Sequence, residues 1–191
     1  MNKLLDLPFV IKIATKDWHP ADHISFASNH SGKQPFTDFT TVINPSNPSE
    51  TYETRLWPDH CIQNTRGAEL IPELDIKKVD KIVEKGMVKE VEMYSAFYDP
   101  LEKPRVSDSG LTGMLKEKGV TDVYVVGLAF DYCVKCTAVD AAKEGFKTYI
   151  VDEGTRAVDR GNRDETMREL KSNRVEVVSM DGEEVAKARG A

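Results

Sequence analysis

The sequence contains no apolar run long enough to span a bilayer and no charged-then-apolar leader of the secretory kind. It has no basic excess: 26 Lys and Arg stand against 32 Asp and Glu, a net charge of −6. That balance weighs against nucleic acid or any other polyanion as a partner. Cysteine is scarce, and three residues without framework spacing do not make a disulfide scaffold. A reducing intracellular setting, the cytosol by default, is the expectation. Internal repeats and a biased linker are also missing. What remains is an ordinary globular composition, 40% hydrophobic over 191 residues, enough for one α/β domain spanning 1–191.

The most informative stretch runs from Val123 to Ala142. Val123 to Gly127 is a β-branched and aromatic run ending in Gly, the pattern of a strand buried on both faces. After a sharp turn, Cys133 to Ala142 is apolar-striped and rich in helix formers. Cys133 thus falls at a strand-to-helix turn. Unpaired backbone N–H groups there favour a thiolate and can hold the oxyanion of a tetrahedral intermediate. A buried structural Cys opening a core helix fits this segment equally well.

Taken in order, Met1 to Leu7 reads as a short helix ended by Pro8, and Phe9 to Thr15 as the first strand. That strand delivers Lys16 to Pro20 to its carboxyl end, where open α/β sheets place their sites. Asp17 and His19, two apart at a strand end, point to one side and suit a borderline metal such as zinc, iron or manganese. By itself the triplet also fits a turn-capping Asp beside a surface His. His23 and His30, in a polar stretch, read as loop or short-helix surface residues, with lining the pocket the alternative for His23. Ser31 to Arg55 shows no clear period and reads as a long functional loop. It leads to Leu56-Trp57-Pro58-Asp59-His60-Cys61, in which His60 completes a facial Asp/His/His set. Trp57 offers a flat face to an aromatic ligand or anchors the loop. Cys61 reads as packing, with a soft fourth metal ligand as the alternative.

Gly67 to Glu73 is expected to be a short helix and Val79 to Gly86 a strand, with Lys85 near its end an ordinary solvated charge on local grounds. Val91 to Phe97 reads as an aromatic-rich loop, and Leu111 to Lys118 as an amphipathic helix closed by Gly119. The helix after Cys133 should end at Gly145. Lys147 to Val151 is a strand, Asp164 to Leu170 a helix, and Val175 to Val178 the last strand before a frayed polar tail. Alternation of this kind argues a mostly parallel sheet with right-handed crossovers.

Three separated pieces then coincide: Thr15 to Ala27, Leu56 to Cys61, and Val125 to Lys135. In that order, with Lys85-Gly86 and Tyr94 to Phe97, they closely resemble the nicotinamidases of the isochorismatase-like cysteine hydrolase superfamily, the fungal ones above all. The resemblance implies a three-layer α/β sandwich that hydrolyses nicotinamide to nicotinate and ammonia for NAD salvage, with pyrazinamide also accepted. It implies Cys133 as nucleophile, Lys85 as catalytic lysine, and Asp17, His19 and His60 as ligands of a divalent metal, zinc first and iron or manganese otherwise. Trp57, Tyr94 and Leu128 would line the pyridine pocket. The backbone N–H groups of Ala129 and Cys133 would form the oxyanion hole, beside a cis Leu128–Ala129 peptide. Expected partners are a small-molecule substrate and at most further copies of the chain, with neither nucleic acid nor membrane involved.

One departure matters. Family members open with a central strand ending in a V-D-x-Q-x-D-F-like motif whose first Asp is the catalytic acid/base, and nothing like it precedes Asp17. Asp6 matches a helix-end position instead. The expectation is therefore an N-terminally truncated member whose two neighbouring strands lack a partner. Its activity would be impaired, or it would survive as a non-catalytic nicotinamide- or metal-binding remnant. Cys133-Val134-Lys135-Cys136 read as a redox or zinc C-x-x-C lacks both the usual position and a second pair.

Overall fold

A computed structural model describes residues 1–190. A parallel three-stranded sheet joins β5 (Asp122–Leu128), β6 (Lys147–Arg156) and β7 (Val175–Val178) in sequence order. Between them run the helices α3 (Lys135–Lys143) and α4 (Arg163–Ser172). Their apolar stripes meet the sheet in a core of Val125, Phe130, Val134, Ala138, Ile150, Leu170 and Val175. Full burial of each large aliphatic residue contributes about 1.5–3 kcal/mol. On another flank Leu4 of α1 (Asn2–Leu5) and Val185 of α5 (Glu183–Ala188) pack with Tyr149, Val151 and Val178. The tail predicted to fray is thus partly a helix, pinned by a fully buried Val185.

A second parallel sheet pairs β1 (Ile13–Asp17) with β4 (Lys81–Lys85), in a register that sets Asp17 beside Lys85. Among the described residues no pairing joins β1 to β5. The first strand is shorter than the apolar run predicts. Lys12 N–H donates to the Asp80 carboxylate and Phe9 packs on Tyr124, so pairing with β4 begins only at Ile13.

The long loop is the larger correction. It carries an antiparallel hairpin, β2 (Phe39–Asn44) and β3 (Asn47–Arg55). Pro45 and Pro48 obscure it in sequence, yet both are tolerable at a turn and an edge strand. The Gly67–Glu73 helix is only a 3₁₀ turn over Arg66–Ala68. The later elements keep their predicted places, with β6 extended to Arg156 and α2 (Leu111–Glu117) followed by a left-handed Gly119. No helix among the described residues is long and apolar enough to cross a membrane.

Candidate active site

The carboxyl ends of β1, β4 and β5 converge. Because Asp17 and Lys85 are register partners at adjacent strand ends, the Lys85 ammonium reaches Asp17 Oδ1 at 2.5 Å. Lys85 is only 4% exposed, far from the solvated charge its local sequence implies. Its Nζ also donates to the Met93 carbonyl at 3.0 Å and to Cys133 Sγ at 3.4 Å. Cys133 sits in a π-helical turn, Phe130–Val134, that leads from β5 into α3. The Leu128–Ala129 peptide before it is cis, as the resemblance implies. The turn is braced from below by Asp131, whose carboxylate accepts from the backbone N–H groups of Val158 and Asp159 at 2.9 and 2.8 Å.

Charge and burial oppose one another in this trio. Burial pushes the Asp17 carboxyl up, but Lys85 and the neighbouring His19 and His60 prevail and hold it below its ordinary range. Burial likewise works against the Lys85 charge, and the facing Cys133 and Asp17 reverse it, so the lysine stays an ammonium. The Cys133 thiol is pushed up to about 12 by burial, against the pull of Lys85.

The predicted metal set is brought together. Donor atoms of Asp17, His19 and His60 all lie within 4.8 Å of one another. His19 Nδ1 is 2.8 Å from the Gly86 carbonyl, and His60 Nδ1 is 2.8 Å from the Pro58 carbonyl. A carbonyl only accepts, so both rings carry their proton on Nδ1 and leave Nε2 free as a ligand. Asp17 Oδ1 is buried and, beyond its ion pair, has no hydrogen bond of acceptable direction. A carboxylate beside two unprotonated imidazole nitrogens suits a divalent metal.

His23 is not the surface residue its polar setting predicts. It is fully buried, stacked on His19 with ring centroids 4.2 Å apart. Its Nε2 faces the Val91 carbonyl at 3.2 Å and its Nδ1 the Ser25 hydroxyl at 2.8 Å. Burial, and the His19 ring beside it, lower its pKa to about 3. His19, His23 and the buried Glu92 also bring donor atoms within 4.8 Å. With both His23 nitrogens engaged, that group supports the His19 ring rather than forming a second ligand set. His30 is half-buried too, its Nε2 on the Ile24 carbonyl at 2.6 Å. Cys61 contributes its backbone carbonyl, which accepts from His19 N–H at 3.0 Å.

An aromatic wall stands beside the trio. Trp57 Nε1–H donates to the Tyr94 hydroxyl at 2.8 Å, and Tyr94 in turn meets the Thr54 hydroxyl of β3 at 2.9 Å. Tyr132, next to Cys133, lies edge-on to Trp57 at 4.7 Å. Neither Tyr132 nor Glu92 is distinguished by its local sequence, and only the fold assembles them with the rest. Leu128 is 73% exposed at the β5 end. Cys61, Cys133 and Cys136 are all free thiols.

The sequence model of the isochorismatase domain matches residues 24–182. A nicotinamidase of Acinetobacter baylyi is 42% identical over 168 residues, which are 87% of this chain and 73% of that protein. The structure of the yeast nicotinamidase bound to the inhibitor nicotinaldehyde superposes with a TM-score of 0.81 at 35% identity, covering 90% of this chain and 80% of that one. The pyrazinamidase of Pyrococcus horikoshii in complex with zinc is 31% identical with a TM-score of 0.63, covering 88% of this chain and 75% of that one. The chain belongs to the isochorismatase-like cysteine hydrolase family, with Cys133 and Lys85 meeting where the ends of its two parallel sheets converge.

Proposed function

We propose that this chain is a nicotinamidase, hydrolysing the carboxamide of nicotinamide to nicotinate and ammonia within NAD salvage. The observation that carries the reading is the buried Lys85 ammonium held between Asp17 at 2.5 Å and Cys133 Sγ at 3.4 Å, beside the Trp57–Tyr94 wall. The nicotinamidase relatives, one of them solved with nicotinaldehyde, support the same substrate class.

Asp17, His19 and His60 would hold the metal, and zinc, as in the Pyrococcus relative, is the ion proposed. Bound there, it supplies a Lewis-acid contact for the pyridine nitrogen. Trp57, Tyr94 and Leu128 orient the ring. Cys133 Sγ attacks the amide carbon as its proton passes to the amide nitrogen, and the Lys85 ammonium stabilises the negative charge that develops on sulfur. Backbone N–H groups of Ala129 and Cys133 hold the oxyanion. The C–N bond then breaks and the nitrogen, carrying that proton, leaves as ammonia. Water then adds to the thioester, the C–S bond breaks, and one water proton returns to sulfur.

The test is ammonia release from nicotinamide by the zinc-loaded chain, with a stopped reaction examined by mass spectrometry for an acyl adduct on Cys133. Turnover with the adduct is the expected result. Tight nicotinamide binding without ammonia would make the chain a binding protein instead.

A further inference from the structure

We propose that Gly86 is the positioning residue for His19, fixing which ring nitrogen this ligand presents and how close the ring sits. The inference rests on the metal-binding reading above and extends it to a residue that carries no side chain. Gly86 follows Lys85 directly and has a φ of +66°, the left-handed region where glycine is at no disadvantage. That conformation turns the chain as β4 ends, so that the Lys85 side chain faces Asp17 and Cys133 while the next carbonyl faces the imidazole. The Gly86 carbonyl then accepts from His19 Nδ1–H at 2.8 Å. Space is equally restrictive, because a Cβ at Gly86 would lie 2.4 Å from His19 Cε1 and 2.6 Å from Nδ1. The ring cannot step aside freely, being 1% exposed and packed between His23 at 4.2 Å and His60 at 5.0 Å, centroid to centroid. Any side chain at 86 must therefore push His19 off the position from which Nε2 joins Asp17 and His60. One dipeptide, Lys85-Gly86, places a side chain on the reacting sulfur and a backbone carbonyl on a metal ligand.

Gly119 provides the control. Its φ is +68°, but an added Cβ there meets nothing within 4 Å. Gly119→Ala carries the backbone penalty without the contact, whereas Gly86→Ala carries both. Dissociation constants for Zn(II) and Co(II) would be measured on the full chain by competition with a chromogenic chelator, beside the thermal midpoint of the metal-free protein. Gly86→Ala should weaken metal binding about 10–100-fold, the usual effect of disturbing a ligand's outer partner. Gly119→Ala should lower the midpoint and leave the affinity near that of the unsubstituted chain. Equal affinities in the two variants would overturn the proposal. His19→Ala tests the underlying reading separately, since metal binding that survives it means His19 is not a ligand. Should Gly86→Ala fail to fold, ¹⁵N spectra of imidazole-labelled, unsubstituted, metal-free chain decide. A protonated Nδ1 and bare Nε2 on His19 support the assignment, and the opposite tautomer overturns it.

Discussion

The two sheets of this protein solve opposite problems. The β5–β6–β7 half is held by apolar burial: Ile150 and Leu170 are fully buried between sheet and helices. The β1–β4 half buries polar and charged groups instead, among them His19, His23, Ser25, Lys85 and Glu92. Each needs a partner, because a buried polar group left unpaired costs about 1–3 kcal/mol and an unpaired charge more. The second half is therefore specified by hydrogen bonds and ion pairs that converge on one place, whereas the first is specified by shape. Cys133 stands at their junction, carried on the apolar half and aimed at the polar one.

The sharpest break of that junction is at the sulfur. Cys133→Ala should lower kcat for ammonia release by at least about 10³-fold while the metal-free thermal midpoint stays close to its original value. A residual rate within tenfold would remove Cys133 as nucleophile. Lys85→Met should cost about 10²–10⁴-fold in kcat. Unlike the cysteine change it should also destabilise the fold, since Asp17 is left without its partner. Activity and unfolding measured on one preparation separate the two effects.

Within the apolar half, Leu170→Ala should cost about 2–5 kcal/mol in urea unfolding yet leave zinc affinity unchanged. A matching loss of affinity would show the halves to be coupled. The polar half should respond to pH where the apolar half does not. Burial lowers the His23 pKa to about 3 and lowers that of His19 as well. As pH falls below about 6.5 the unfolded chain binds protons that the folded chain refuses, so stability drops. Between pH 7.5 and 5, His23 alone accounts for about 2 kcal/mol of metal-free stability. His23→Gln should flatten that slope, and an unchanged slope would assign it elsewhere. The smallest effect belongs to the hairpin, where Ile43 is 51% exposed. Ile43→Thr should stay within about 0.5 kcal/mol, read by the same unfolding curves.

The legible parts of the chain share a property: their signal is local. Strands β5 and β7 and helices α2, α3 and α4 are readable because apolar periodicity and good helix formers, with a closing Gly after α2 and α3, lie within a few residues of one another. The hairpin was not, since Pro45 and Pro48 mask strands whose pairing, rather than composition, makes them strands. Nor was α5, where a single buried Val185 holds an otherwise polar segment. Among site residues, Asp17, His19 and His60 are legible as a possible metal set from residue type and spacing, whereas local chemistry alone leaves Lys85 solvated and Cys133 undecided, and motif resemblance is what assigns them.

By itself, then, the sequence determined the α/β alternation and the residue types able to do cysteine and metal chemistry, for these are properties of short stretches. Only the tertiary structure decided that Lys85 is buried on the sulfur, that His23 is a silent support rather than a surface residue, and that Gly86 must be glycine. Those facts depend on contacts between residues 41 to 68 positions apart, such as β1 with β4 and His19 with Gly86. Burial, and the pKa shifts that follow from it, exist only once those distant segments are brought together.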